Sequence, residues 1–230
     1  MELDIWEANS AATMLASHPC KANGVYICRE PECGWEKRYE AACDKDGCIF
    51  NPRRNGARKF YGRGSDFELD TTKPFTVVTQ FISSDNTANG ELTEIRRFYR
   101  QNGTIIYQPH VTVQGITHDN TISEEYCETQ LSLFKGSLYP NRFKAMGGMK
   151  STGEALKRGL VLVMSIWTQE GKNMAWLDST WPLDSNPDFP GNVRGPCPPE
   201  GGRPEEIKAN HLDTAVVFSN IRVGDIGSTT

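Results

Sequence analysis

Polar and apolar positions alternate with a period of two over much of the chain, and turn residues bound the runs, which is the pattern of half-buried strands. Residues 75–82 (FTVVTQFI) read as one strand, and residues 159–168 and 214–223 as two more. Residues 91–100 and 104–108 flank Gln101-Asn102-Gly103. An Asn-Gly pair supplies the two positive φ values that a tight hairpin turn needs, so these two runs are predicted to pair antiparallel. Helical pattern is confined to residues 123–134, with Ser123 as N-cap, and to residues 152–158. Residues 182–204 hold seven prolines in 23 residues. Because a further strand run follows them, they are expected to form an irregular loop returning to the same sheet, not a linker between domains. The expected class is all-β and antiparallel.

Composition narrows the reading. The chain has 230 residues, 37% of them apolar, with 21 glycines besides, which fits one folded domain and excludes disorder and collagen. With 25 basic and 29 acidic residues the formal charge is −4, and the chain lacks the concentrated basic surface by which proteins displace counterions from nucleic acid. The longest apolar run, residues 159–167, is half of what crosses hydrocarbon, so no membrane span is expected. No secretory signal pattern opens the chain. Seven cysteines, five of them within residues 20–48, suggest loops stapled by disulfides. The Cys28/Cys33 and Cys43/Cys48 pairs also admit a four-thiolate zinc site. The odd count leaves one cysteine without a partner, which suggests that something is missing upstream.

The candidate chemistry lies at the start, in Glu2-Leu3-Asp4-Ile5-Trp6-Glu7. On a strand Glu2 and Asp4 share a face, whereas Glu7 has the wrong parity unless a bulge re-aims it. If it does, three carboxyls line one wall. Crowded carboxyls cannot all ionise freely, so their pKa values separate, as an acid/base group and a nucleophile require. The alternative is a solvated acidic end.

The string from Glu2 to Ser10, followed by His18-Pro19-Cys20, resembles the Glu-x-Asp-x-x-Glu signature of glycoside hydrolase family 7, the fungal cellobiohydrolases and endoglucanases. Further segments resemble the family in order along the chain. They include Asp46-Gly47-Cys48, Asn51-Pro52-Arg53-Arg54, residues 77–81, residues 159–167, residues 176–180, Val193-Arg194-Gly195 and a C-terminal stretch ending at Thr230. The resemblance implies a concanavalin-like antiparallel β-sandwich, a jelly roll with long loops and a few short helices. It covers the C-terminal portion of a single catalytic domain, so the sandwich is expected to be incomplete at its N-terminus, with no carbohydrate-binding module in residues 1–230. An isolated half-sandwich would leave strand edges unpaired and is expected to fold poorly and to be inactive alone.

The same resemblance implies retaining hydrolysis of β-1,4-glucosidic bonds in cellulose and cello-oligosaccharides. Glu2 would be the nucleophile, Asp4 its hydrogen-bonded partner, Glu7 the general acid/base and His18 a neighbour of the acid/base. Trp167 and Trp176 would be sugar platforms on either side of the scissile bond, and Arg38, Asp46, Arg54 and Arg194 product-side polar contacts. Disulfides would join Cys20 to Cys43, Cys28 to Cys33 and Cys48 to Cys127, with Cys197 left over. No cofactor or metal is implied, and the protein would be a secreted, extracellular monomer. Asn102-Gly103-Thr104 matches a glycosylation site, consistent with secretion.

Within the family, the 27 residues between Cys20 and Cys48 resemble the long lid of processive cellobiohydrolases, which release cellobiose. Glu170-Gly171, where such enzymes carry lid tyrosines, and Trp181, where tyrosine is common, keep an open-cleft endoglucanase as the alternative. A reading from another class is a lectin-like protein that binds glucan without cleaving it.

Overall fold

The computed structural model describes residues 1–134 and 141–229; Thr230, which closes the C-terminal motif, lies outside them. β1 (Glu2–Ala8), β2 (Thr13–His18) and β3 (Cys48–Phe50) form an antiparallel sheet in that order. β4 (Tyr61–Gly62) and β5 (Leu69–Asp70) make a short parallel pair. β6 (Thr76–Ser83), β7 (Leu92–Gln101), β8 (Thr104–Tyr107) and β9 (Thr121–Ser123) form a second antiparallel sheet, in which β7 pairs with the other three. Helices are short: α1 (Glu124–Leu133), α2 (Arg142–Ala145), α3 (Gly148–Arg158), α4 (Ala175–Asp178) and α5 (Pro204–Asn210). The described fold is therefore mostly β with a few short helices, none of them long and apolar enough to cross a membrane.

Local chemistry accounts for the elements that the pattern predicts. The β7–β8 turn places Asn102 at φ 51° and Gly103 at φ 78°, the left-handed pair that matches strand twist. Ser123 caps α1, its Oγ accepting from the Tyr126 N–H at 3.1 Å, and Glu124 and Glu125 favour the positive end of the helix. Both sheets bury alternate residues in one core: Leu15 and Phe50 from the first, Leu92, Ile95 and Ile122 from the second, with Tyr126, Phe143 and Met149 from the helices. A smaller aromatic cluster of Phe60, Tyr61 and Tyr99 lies toward the β7–β8 end, against Val77 and Ile106.

Two predicted strands are absent. Residues 159–168 and 214–223 form no strand and are largely exposed, Val161 at 89% and Val217 at 88%. A strand exists only as a ladder, and among the described residues neither run has a neighbour to supply the backbone partners. Alternation specifies a strand's faces and not its pairing. The proline-rich residues 182–204 are irregular as expected, with a bridge between Thr180 and Val193 near their base.

The first sheet is tied to α1 by a disulfide and by side-chain hydrogen bonds. Cys48–Cys127 closes a separation of 79 residues, which in the chain-entropy model stabilises by about 4 kcal/mol. The buried Tyr126 hydroxyl donates to the Ile49 carbonyl at 2.8 Å and accepts from Asn55 Nδ2 at 2.9 Å and Gln130 Nε2 at 2.8 Å. Tyr126→Phe strands the Asn55 donor in the core, so urea unfolding should shift to lower midpoint by the equivalent of about 1–2 kcal/mol with the slope unchanged.

Candidate active site

β1 and β2 keep a regular register from Glu2↔His18 through Asp4↔Ala16 and resume it at Glu7↔Met14. Three steps on β1 therefore answer two on β2. The extra residue lies within Ile5-Trp6, opposite Leu15, and it restores Glu7 to the face of Glu2 and Asp4. That is the parity change the sequence demanded. On β2 the matching face carries His18, Ala16 and Met14, while Leu15 on the other face is fully buried in the core.

His18, opposite Glu2, reaches diagonally past the small Ala16 side chain to Asp4, Nε2 to Oδ2 3.0 Å. Its Nδ1 lies 3.0 Å from the Asp44 carbonyl oxygen. The carbonyl oxygen can only accept, so Nδ1 donates to it, and with Nε2 donating to Asp4 the ring is an imidazolium. Burial opposes that charge, but the Asp4 hydrogen bond and the charges of Asp4 and Glu2 outweigh it and raise the His18 pKa to about 9. Glu7 moves for a different reason. Burial first and the Asp4 charge second raise its pKa to about 7, Glu2 adding to the rise and His18 opposing it. The wall thus holds one carboxyl that keeps its proton near neutrality beside an ion-paired Asp4, the separation that acid/base catalysis uses.

Two residues that support this pair were given no role from the sequence. Asp44 supplies the carbonyl that fixes His18, and its Oδ1 accepts the Asp46 N–H at 3.0 Å. Gly47, at φ 72°, lies so close that an added Cβ would fall 2.5 Å from His18 Cε1. The local signal was the Asp-x-Asp-Gly pattern of residues 44–47, whose small residues permit a tight turn.

The expected binding residues divide. Arg38 grips Asp46 through Nε at 2.9 Å and Nη2 at 2.6 Å and is partly exposed beside the site loop. Arg54 and Arg194 are buried. Arg54 Nε donates to the Gly191 carbonyl at 3.0 Å, its guanidinium lies 4.4 Å over the Phe134 ring, and burial lowers its pKa to about 10. Arg194 Nη1 donates to the Trp176 carbonyl at 3.3 Å, and burial with the Arg54 charge lowers its pKa well below the ordinary guanidinium value. Trp176 packs against Met14, Ala16, Ile49 and Leu177 on the carboxylate side of the sheet. Trp167 stacks on it, centroids 6.0 Å apart at 29°. The two indoles expected on either side of a bond are thus brought together, with no room for a sugar between them.

The expected disulfides Cys20–Cys43, Cys28–Cys33 and Cys48–Cys127 are all formed, which removes the thiolates a zinc site would need. Cys197 is the free cysteine among the described residues. Burial, then the charge and hydrogen bond of Asp178, raises its thiol pKa to about 12, so it is unreactive as a thiolate.

A carboxylate wall with one raised carboxyl on an antiparallel sheet is an arrangement that acid/base chemistry uses. Residues 1–230 match the Glycosyl hydrolase family 7 model, and the chain belongs to that family. Its fold is similar to a GH7 family cellobiohydrolase from Daphnia pulex, with 47% identity and a TM-score of 0.86 over 90% of this chain and 46% of that one. It is also similar to the endocellulase EGI of Humicola insolens, with 38% identity and a TM-score of 0.73 over 90% and 46%. A cellobiohydrolase from Melanocarpus albomyces, solved with cellotetraose, gives 36% identity and a TM-score of 0.79 over 90% and 45%. The chain spans about half the length of these structures.

Three variants check the electrostatics. Between the ordinary carboxyl value of 4.5 and about 7 the folded state holds a Glu7 proton that the unfolded state releases, so stability falls as pH rises there. Between 6.5 and about 9 the folded state likewise retains the His18 proton, and its contribution, full below 6.5, is lost as pH rises through 9. Calorimetry from pH 4 to 10 should show Glu7→Gln flattening the lower window and His18→Gln the upper. Gly47→Ala should displace the imidazole and lower the His18 pKa toward its ordinary value, as read by imidazole proton NMR.

Proposed function

We propose that this chain carries the catalytic wall of a retaining β-1,4-glucanase acting on cellulose and cello-oligosaccharides, built on a concanavalin-like jelly roll. The observation that supports it best is the raised pKa of Glu7 on the same strand face as Glu2 and the ion-paired Asp4. In this reading a Glu2 oxygen attacks the anomeric carbon as the bond to the leaving glucan oxygen breaks, and Glu7 gives that oxygen its proton. Glu7, now a carboxylate, takes a proton from water, whose oxygen displaces Glu2 from the anomeric carbon. Two inversions retain configuration, which requires carboxyls about 5–5.5 Å apart. Asp4, held by His18, raises the Glu7 pKa. Trp167, half exposed, presents the outer apolar face of its stack with Trp176 to a pyranose ring, and Arg38 with Asp46 holds hydroxyls beyond the cleaved bond.

The processive cellobiohydrolase mode is favoured by the loop between Cys20 and Cys48. Two disulfides and the Arg38–Asp46 pair brace it beside the wall, which suits a lid that stays closed over a chain. The endoglucanase mode is the second reading, supported by the fold's likeness to the Humicola insolens endocellulase. Three disulfides fit a secreted protein.

Kinetics of two variants separate the roles. On cellulose, Glu2→Gln and Glu7→Gln should each lower kcat by about 10²–10⁴-fold. On an aryl cellobioside with a good leaving group, which needs no acid, Glu7→Gln should keep its first step and be rescued by azide, while Glu2→Gln stays inactive. A wild-type protein that binds glucan without hydrolysing it would favour the lectin-like alternative.

A further inference from the structure

We propose that Asn102, at the tip of the β7–β8 hairpin, carries an N-linked glycan whose first sugars lie along the exposed edge of β8. Asn102-Gly103-Thr104 is the sequence's single Asn-x-Ser/Thr triplet, and all three residues are exposed. The hairpin holds it on a firm base. The neighbouring Gln101 is buried, its Oε1 accepting the Asp70 N–H at 3.0 Å and its Nε2 donating to the Asp70 carbonyl at 2.8 Å. Among the described residues the Asn102 amide has no hydrogen-bond partner, so attachment breaks no native contact.

The donor is a polyprenyl-diphosphate-linked oligosaccharide. Asn102 Nδ2 forms the bond to the anomeric carbon of its first N-acetylhexosamine, the anomeric carbon–oxygen bond to diphosphate breaks, Nδ2 loses one proton and polyprenyl diphosphate leaves. No oxidant or reductant is needed. The three disulfides fit the oxidising compartment where this transfer takes place.

The fold also provides a seat for the sugars. A cleft of about 630 Å³ starts at Asn102 and runs past Thr104, Ile105, Tyr107 and His110. Ile105 is 46% exposed and Tyr107 66%. β8 bonds to β7 along one side, and among the described residues no strand pairs with its other side. An open edge with apolar side chains is a template for unwanted pairing. Sugars seated there cover the apolar faces of Ile105 and Tyr107 and leave hydroxyls toward water.

The test is to produce the protein in a eukaryotic secretory host, digest it with trypsin and release glycans with peptide N-glycosidase in oxygen-18 water. The peptide covering residues 101–135 should carry oxygen-18 aspartate at position 102 in the wild type and in Thr104→Ser, and lose it completely in Thr104→Ala. Thr104→Ala keeps the Asn-Gly turn, so it separates glycosylation from folding. Label in Thr104→Ala as well would mean spontaneous deamidation, and that result, or an unmodified wild-type Asn102, overturns the proposal. The seat is tested by Tyr107→Ser, which should lower Tm at least about 2 °C more in the glycosylated protein than in the Thr104→Ala background. Equal shifts overturn the placement of the sugars on Tyr107.

Discussion

One extra residue in β1 governs the chemistry of this chain. Side chains on a strand alternate, so without the irregularity between Asp4 and Glu7 the third carboxyl would face away from the first two. The bulge adds an aromatic anchor as well as a change of parity. Trp6 meets Phe75 and Phe218 edge to face at centroid distances of 6.1 and 6.0 Å, which holds the bend against the second sheet and the C-terminal segment. Leu3 before it on β1 and Leu15 opposite it on β2 both pack into the core.

From that wall the structure extends in two directions. Behind it, the Cys48–Cys127 bridge and the Tyr126 hydroxyl fasten β3 to α1, so the sheet carrying the carboxyls is fixed to the helical side of the core. In front, His18 connects Asp4 to the loop that ends at Gly47, and that loop carries Arg38 and Asp46. That loop and the carboxyl wall therefore share one imidazole. A shift of the loop would alter the Asp4–His18 contact, and with it the field at Glu7.

How much of this could be read from sequence depends on whether the determining interaction is local. The β7–β8 turn, the Ser123 cap and the need for a bulge before Glu7 follow from neighbouring residues, and each is present in the fold. The disulfide partners came through family resemblance, because spacing alone also allowed zinc. Residues 159–168 and 214–223 were misread as strands because alternation carries no information about a pairing partner. The Trp167–Trp176 stack and the burial of Arg54 and Arg194 depend on distant segments, as do the Asp44 and Gly47 contacts with His18. A surface charge and a buried guanidinium look alike until the neighbours are known.

The central claim is that the bulge places Glu7 where burial and Asp4 keep it protonated near neutrality. The most direct measurement is a carbon-13 NMR titration of the glutamate side-chain carboxyls, with Glu7 assigned by the resonance missing from Glu7→Gln. The account predicts that Glu7 titrates near pH 7. A Glu7 carboxyl titrating at the ordinary glutamate value would contradict it.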